Sequence, residues 1–318
     1  MVLENKTQIN ENFTTHKPTL LIAIPTYNRA EIISYALRSL FEQKDSSNRW
    51  KLIVVNNNST DDTLNKLEIF SQNWPKLKYV SEYQQGLSHA RNRAIAECTE
   101  DYILFVDDEC IFPRDYITKA LNIIDTKNPK LFGGPILPWY LEKKPIWFKD
   151  DYGSYSLPDT TGRAKRISFS GANIGFSMTA LSQVGNFDPE LGMKGQISRY
   201  GEETDMELRI LEKFGTDSVY YSDDFFNRHL VLPAKYNWRK LIFSHFSRGM
   251  ARAKMKKHQS NDTNEDEETI PQTLKPHPYQ ARELADTKIY WQNIVYEKGL
   301  PIIRRIGYIY GLIINNLS

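Results

Sequence analysis

Residues 102–109 read YILFVDDE, and this stretch decides the fold. Its first five residues are apolar, which is typical of a strand buried on both faces of a sheet. Asp107, Asp108 and Glu109 then follow, so three carboxylates are predicted at the carboxyl end of that strand. Burying clustered carboxylates is costly unless a cation compensates. The stretch therefore predicts a site for a hard divalent cation, with a solvated acidic turn as the alternative.

Strands and helices alternate on the N-terminal side of this stretch. Apolar runs predict strands at residues 19–24, 51–55 and, more weakly, 78–83. Apolar residues at the spacing of one helix face follow them at residues 28–43, 59–70 and 86–98. Three such repeats predict an α/β fold with a mixed, mainly parallel sheet and helices on both faces. Asn28 and Ser59 are expected to cap the first two helices.

Polar clusters are predicted at the edge of the sheet where ligands of such folds bind. PTYNR (residues 25–29) and NNNSTDDT (residues 56–63) follow the first two strands, and either could contact a nucleotide or form an ordinary turn. Arg91 could neutralise a phosphate or form a surface salt bridge. The residues alone leave these alternatives open.

The pattern changes after about residue 130. Residues 130–159 are rich in proline, glycine and aromatic residues, and they are expected to shape a cleft. Glu202 and Glu203 precede a short predicted helix that Gly215 closes. They could simply favour the helix dipole, or one could act as a general base. His229 becomes a metal candidate only if the fold brings it to the acidic triplet.

Composition excludes several classes of protein. The 318 residues are 40% hydrophobic and 25% charged, with a net charge of +2, which is too balanced for binding nucleic acid through bulk charge. Two cysteines imply no disulfide framework and favour a reducing compartment. The N-terminal residues have no apolar signal region, and no run of about 18 apolar residues predicts a spanning helix.

The C-terminal part of the chain allows two interpretations. Residues 253–276 are charged and nearly free of large apolar side chains, which is typical of a linker. Farther on, one helix face is formed by Ile302, Ile303, Ile306, Ile309, Tyr310 and Ile313. Arg304 and Arg305 could meet anionic lipid beside it, which makes residues 301–318 a candidate for membrane contact. The alternative is that this helix packs against the rest of the fold.

Taken in order, eight motifs resemble those of the family-2 glycosyltransferases with the GT-A fold. They span about residues 18–250 and read PTYNR, VVNNNSTDDT, GLSHARNRAI, YILFVDDE, SGANIGF, VGNFDPEL, GEETDMELR and RHLV. The resemblance implies a Rossmann-like sheet and a metal-dependent, inverting, hexosyltransferase-type enzyme. Its donor would be a nucleotide-diphosphate sugar, with UDP favoured. Its acceptor would be a hydroxyl of a glycan or lipid-linked molecule, in cell-surface polysaccharide synthesis.

The resemblance also assigns roles to individual residues. Contacts to the nucleotide sugar would come from Pro25, Thr26, Tyr27, Arg29, Asn57, Arg91, Asp107 and Asp108. Asp107, Glu109 and His229 would hold Mn²⁺ or Mg²⁺. Glu203 would be the catalytic base, with Glu202 beside it.

Three departures from the family pattern bear on these roles. Asn56 and Asn57 replace the usual acidic pair, and an amide can donate as well as accept, so the nucleobase is not determined. Glu109 and Glu203 replace aspartates but keep the carboxylates. Competing predictions are a non-catalytic nucleotide-sugar-binding module and a nucleotidyltransferase. A nucleotidyltransferase would be expected to carry a glycine-rich phosphate loop after the first strand, and PTYNR contains no glycine.

The resulting domain prediction has four parts. Residues 1–17 form a flexible N-terminus, and residues 18–250 form the GT-A domain. Within that domain, residues 18–130 bind the nucleotide sugar and residues 131–250 the acceptor. Residues 251–280 form a charged flexible segment, and residues 281–318 a C-terminal helical extension. We expect a cytoplasmic protein at the inner face of the cell membrane.

Overall fold

A seven-stranded sheet forms the centre of the part of the chain that the computed structural model describes, residues 17–45, 47–155, 169–194, 201–258 and 290–317. The strands of the whole fold are β1 (Leu20–Thr26), β2 (Trp50–Asn56), β3 (Leu77–Ser81), β4 (Tyr102–Phe105), β5 (Cys110–Ile111), β6 (Leu131–Gly133), β7 (Ile136–Trp139), β8 (Ile174–Ser177), β9 (Val219–Tyr221) and β10 (Asn227–Leu230). The central sheet has the order β3-β2-β1-β4-β8-β6-β9.

Most neighbours in this sheet are parallel. β3, β2, β1 and β4 all run in the same direction, and β6 is parallel to β9. β8 is antiparallel to both β4 and β6. The predicted mixed, mainly parallel sheet is therefore confirmed.

Helices cover both faces of this sheet, as predicted. The helices are α1 (Ile33–Phe41), α2 (Thr63–Asn73), α3 (Leu87–Glu97), α4 (Tyr116–Lys127), α5 (Met178–Val184), α6 (Glu202–Phe214), α7 (Trp238–His258), α8 (Trp291–Ile294) and α9 (Leu300–Leu317). Leu20, Ile22 and Ile24 of β1 pack in one core with α1, α2 and α4. Leu21 and Ala23 point the other way, into a core with α3, α5 and α6.

The predicted helix caps are wrong. α1 begins after Ile32 and α2 after Asp62, and neither helix has a side-chain cap. Asn28 and Ser59 instead join the two loops: the N–H of Asn28 donates to Ser59 Oγ, and Asn28 Oδ1 accepts from the N–H of Thr60. These polar residues therefore tie together the loops that follow β1 and β2.

A small second sheet has the order β5-β10-β7. β5 follows the acidic triplet directly, and β10 pairs with it antiparallel, which places His229 opposite Cys110. On its other side, β10 is parallel to β7. This sheet connects the two halves of the predicted domain and positions His229 beside the end of β4.

The helix pair α7 and α9 forms the C-terminal part of the described chain. α7 runs through residue 250, and residues 251–258, at the start of the predicted 251–280 segment, are helical. A π-helical turn, Val295–Gly299, joins α8 to α9. Residues 1–16 and 259–289, on which the predicted flexible segments fall, lie outside the described residues. Among the helices that the structure describes, none is both long enough and apolar enough to span a bilayer.

We predict that titration of His245 makes this helix pair less stable in acid. Burial, with the nearby charges of Arg248 and Arg304, lowers the pKa of His245 to about 4. In the unfolded chain the pKa of His245 returns to roughly 6.5. Between that pH and the pKa of about 4 in the folded chain, the unfolded state binds the proton more strongly than the folded state does. His245 thus contributes stability above about pH 6.5 that is lost as the pH falls towards 4.

The expected result is a larger fall in melting temperature between pH 7 and pH 5 for the natural chain than for His245→Gln. We expect a difference of about 2–4 °C, measured by circular dichroism. Equal falls for the two proteins would contradict this assignment.

Candidate active site

The acidic triplet forms a buried turn between β4 and β5. The N–H of Cys110 donates to the carbonyl of Asp107, which closes the turn. Asp108 is only 7% exposed, and the Glu109 side chain is nearly as enclosed. The turn is therefore enclosed at Asp108 and Glu109, whereas the Asp107 side chain is 35% exposed.

His229 meets this triplet, as its metal role required. Its Nε2 atom lies 3.2 Å from Asp107 Oδ2 and 3.2 Å from Glu109 Oε1. Burial alone would lower the pKa of His229, but the hydrogen bond to Asp107 and the charges of Glu109 and Asp107 raise it. Burial alone would raise the pKa of Asp107, but His229, Arg91 and Arg29 hold it below its usual value.

Arg29 provides a second positive charge at the triplet. Its Nε atom lies 3.4 Å from Asp108 Oδ1, and its Nη2 atom lies 3.3 Å from Glu109 Oε2. Burial raises the pKa of Asp108 to about 7, against the opposing charge of Arg29. The three carboxylates of the turn therefore meet two basic side chains, Arg29 and His229.

The predicted metal donors lie together without forming a metal-binding arrangement. Among the described residues, no three or more His, Cys, Asp or Glu side chains are disposed to hold a metal ion. Asp107, Glu109 and His229 instead contact one another through the imidazole. Two carboxylates and an imidazole are nevertheless donors suited to a divalent ion, and Glu109 Oε2 is buried without a hydrogen-bond partner. The donor chemistry thus fits the predicted metal.

A cavity lies above the triplet at the carboxyl ends of β1, β2 and β4. Its walls contain seven of the eight residues predicted to contact a nucleotide sugar, namely Pro25, Thr26, Tyr27, Arg29, Asn57, Asp107 and Asp108. The eighth, Arg91, does not line the cavity, whereas the predicted metal ligand Glu109 does. Four further wall residues were missed: Gln85, Leu87, Ala90 and Met193. Gln85 could have been found, because it follows the third predicted strand at the same sheet edge.

Asn57 lines the cavity, and its side chain is hydrogen-bonded to a neighbouring loop. Its Nδ2 atom donates to the carbonyls of Glu82 and Gln84, at 3.1 and 2.7 Å. Its Oδ1 atom accepts from the N–H of Gly86 at 2.8 Å. A carboxylate here could not donate to two carbonyls, so the loop itself explains why asparagine replaces the family's aspartate.

Arg91 connects the first half of the fold to α6. From α3, its Nη1 atom lies 3.0 Å from Glu202 Oε1 and its Nη2 atom 2.9 Å from Glu203 Oε1. Its side chain is 1% exposed, and its guanidinium lies over the rings of Phe187 and Phe105. The surface salt bridge considered above is therefore excluded, and the contact with a phosphate stays a prediction.

The two glutamates differ in their environment. The Glu202 side chain is 4% exposed and that of Glu203 is 21% exposed, so Glu203 is the more accessible of the two. Burial and the charge of Glu203 raise the pKa of Glu202, although Arg91 opposes this. Gly171 packs so closely that a Cβ there would collide with Glu203 and Arg91. The pair is thus held in one geometry.

Glu207 is a buried carboxylate that the sequence did not single out. It lies one turn after Glu203 on α6, and its Oε1 atom accepts from the N–H of Phe169 at 2.6 Å. That contact ties the segment containing Gly171 to α6. The spacing of four residues from Glu203 was the available signal.

The family model of Glycosyl transferase family 2 matches residues 21–185. This match covers more than half of the 318-residue chain, and the chain belongs to that family. The protein is accordingly a glycosyltransferase.

Curated relatives agree with this assignment. A glucosyl-dolichyl phosphate glucuronosyltransferase of Haloferax volcanii is 22% identical over 246 residues, which is 75% of this chain and 77% of that protein. The GalNAc(5)-diNAcBac-PP-undecaprenol beta-1,3-glucosyltransferase of Campylobacter jejuni is 27% identical over 94 residues, 29% of this chain and 30% of that protein. The second relative thus matches over less than a third of its own length.

Solved structures share the fold. A mannosyltransferase, PcManGT, from Pyrobaculum calidifontis with GDP-Man and Mn²⁺ has a TM-score of 0.59 at 17% identity, covering 96% of this chain and 76% of that one. GalNAc-T7 with UDP, GalNAc and Mn²⁺ has a TM-score of 0.55 at 12% identity, covering 79% and 53%. At these identities the likeness shows the GT-A fold alone.

Proposed function

We propose that this glycosyltransferase transfers a sugar, with inversion, from a nucleotide-diphosphate sugar to a hydroxyl of a glycan or lipid-linked acceptor. The observation that carries the proposal is the fixed Glu203 carboxylate, held by Arg91 in the same fold as a cavity lined by three further carboxylates. The relatives named for dolichyl phosphate and undecaprenol substrates support a lipid-linked acceptor. Such an acceptor places the reaction at a membrane surface, and we propose the cytoplasmic face.

Glu203 acts as the base in this proposal. Its carboxylate takes the proton of the acceptor hydroxyl while that oxygen attacks the anomeric carbon of the donor. The new bond forms on the face opposite the leaving nucleoside diphosphate, which departs with the electron pair of the broken bond. Arg91 positions Glu203 through their 2.9 Å contact. No covalent enzyme intermediate forms, and the anomeric configuration inverts.

The donor nucleotide is proposed to occupy the cavity beside the triplet. Pro25, Thr26, Tyr27 and Arg29 form one wall of it, and Asn57 and Gln85 form another. We favour UDP as the nucleotide, and a solved neighbour with UDP shares this fold. Asn57 donates both amide hydrogens to the carbonyls of Glu82 and Gln84, and its oxygen accepts from Gly86 and Gln85, so its side chain shapes this wall of the cavity.

Asp107, Glu109 and His229 are proposed to hold Mn²⁺ or Mg²⁺. When bound, the metal supplies positive charge that stabilises the departing diphosphate. The clustering of two carboxylates and an imidazole supports this proposal, as do the two solved neighbours that contain Mn²⁺.

Glu109→Ala is expected to remove the metal dependence of nucleotide binding. In calorimetric titrations, Mn²⁺ should strengthen UDP binding to the natural chain by about tenfold or more, because a metal held by this cluster would supply positive charge to the diphosphate. The variant should bind UDP equally well with and without Mn²⁺. Glu42→Ala, at an exposed carboxylate on the surface, serves as the control. A variant that keeps the full Mn²⁺ effect would refute the metal assignment.

A panel of nucleotide sugars tests the proposed reaction itself. The full chain is incubated with Mn²⁺ and UDP-glucose, UDP-GlcNAc or GDP-mannose, and the nucleotide products are separated by chromatography. We expect slow release of UDP from a UDP-sugar. In a parallel incubation with UTP and glucose 1-phosphate, formation of UDP-glucose and pyrophosphate would indicate a nucleotidyltransferase. Tight binding of the nucleotide sugars with no release of nucleotide would indicate a non-catalytic module, and either result overturns the proposal.

A further inference from the structure

Apolar side chains form a ridge along the outer face of α9. The ridge consists of Ile302, Ile306, Ile309, Tyr310, Ile313 and Ile314, which are 41–61% exposed. Spacings of three and four residues place them on one side of the helix. This side chain pattern is that of a core-facing helix, yet no described part of the chain covers it.

The opposite side of α9 is already packed. A Cβ at Gly307 would collide with the backbone of Phe246 on α7, and one at Gly311 would crowd Met250. Contacts advance by one turn on both helices, so α7 and α9 run parallel. Close packing through small residues fixes the pair, as in helices that associate within lipid, and of the ridge residues Tyr310 also contacts α7, at 5.7 Å from the ring of Phe246.

The ridge continues into the segment before α9. Trp291, Ile294 and Val295 are 64%, 51% and 40% exposed, and α8 leads through one turn into α9. The Trp291 ring stacks on Trp238 at 6.2 Å, which anchors this end to α7. From residue 291 to residue 314 the apolar surface extends about 36 Å along the helix axis. Tryptophan is the residue that favours the boundary between lipid and water.

The two helices are also strongly basic. Trp238–His258 and Leu300–Leu317 contain nine Lys or Arg residues and no Asp or Glu. The whole chain carries a net charge of only +2, so positive charge is concentrated in this helix pair. A partner for this surface must offer apolar volume and negative charge together.

We infer that the α9 ridge, with the basic residues of α7 and α9, docks on the surface of an anionic phospholipid membrane. The ridge inserts at the boundary of headgroups and acyl chains, and the basic residues meet the lipid phosphates. The chain's own residues 259–289 carry seven Asp or Glu against three Lys or Arg, but only five large apolar side chains spread over 31 residues, fewer than the six of the ridge. A second copy would bring two basic surfaces together. Neither competitor matches both properties.

Vesicle flotation tests this surface without using the reaction. Full-length protein is mixed with phosphatidylcholine vesicles with and without 30% phosphatidylglycerol, and the floating fraction is measured. We expect flotation with the anionic vesicles that is weakened by 0.5 M NaCl. Ile306→Glu/Ile313→Glu should lower the floating fraction about tenfold, because two charges enter the ridge. The matched control is Leu64→Glu/Ile69→Glu, which adds the same charges to exposed positions of α2 and should float normally.

A second variant, Arg239→Glu/Lys240→Glu, leaves the ridge intact and should lose the preference for anionic vesicles. Circular dichroism spectra check that each variant keeps its helices, and light scattering measures the mass of the protein in solution. The inference would be overturned if the protein does not float, or if the ridge variant floats as well as its control. It would also be overturned if the natural chain forms a stable dimer that the ridge substitutions dissociate. The result is independent of the proposed reaction, because release of UDP in solution needs no vesicle.

Discussion

Glu203→Gln is expected to lower turnover by about 10²–10⁴-fold, the usual contribution of a general base. The amide has the shape of the carboxylate but takes up no proton from the acceptor. Arg91 keeps its contact with Glu202, so the fold should persist. Donor affinity, measured by titration with UDP and Mn²⁺, should change little.

Glu202→Gln is the matched control, since it makes the same change one residue earlier. Glu202 is 4% exposed and is not the proposed base, and glutamine keeps its size and shape. We therefore expect turnover within about fivefold of the natural chain. The assignment of the base fails if Glu203→Gln keeps its turnover, or if Glu202→Gln is the more damaged variant.

Arg91→Met is expected to reduce the free energy of unfolding by about 3–5 kcal/mol, because it leaves buried carboxylates without their cation. Arg91 contacts both Glu202 and Glu203 and is 1% exposed, so no solvent replaces its charge. Turnover should also fall, since Glu203 loses the contact that positions it. Urea unfolding followed by fluorescence measures the first effect.

Adding Glu202→Gln to Arg91→Met separates charge from packing. The double variant removes one of the two uncompensated carboxylates, so it should recover part of the lost stability. Its turnover should stay low, because Glu203 remains unpositioned. If Arg91→Met is as stable as the natural chain, the buried ion pairs do not stabilise the fold as argued.

Continuous apolar runs made the central strands predictable. β1, β2 and β4 are buried on both faces between helices, so their sequences are apolar without alternation. The roles of Asn28 and Ser59 could not be predicted, because spacing along the chain describes local caps. Their partners lie 31 and 32 residues away, in a loop that only the assembled sheet brings near.

The walls of the cavity were predictable for a similar reason. Parallel strands end at one sheet edge, so the polar residues after β1, β2 and β4 had to meet there. The partners of Arg91 were not predictable, since Glu202 and Glu203 lie 111 and 112 residues farther along the chain. The hydrogen bonds from Asn57 to the loop after β3 were equally unpredictable, because every residue has a backbone carbonyl and the sequence does not show which of them a side chain contacts.

Crystals soaked with MnCl₂ and UDP test whether the acidic turn after β4 binds a metal ion that in turn binds a diphosphate. Anomalous diffraction at the manganese edge locates the ion directly. We expect an anomalous peak in contact with Asp107, Glu109 and His229, and the diphosphate of UDP in contact with that peak. UDP bound away from this turn, with no manganese beside Glu109, would contradict it.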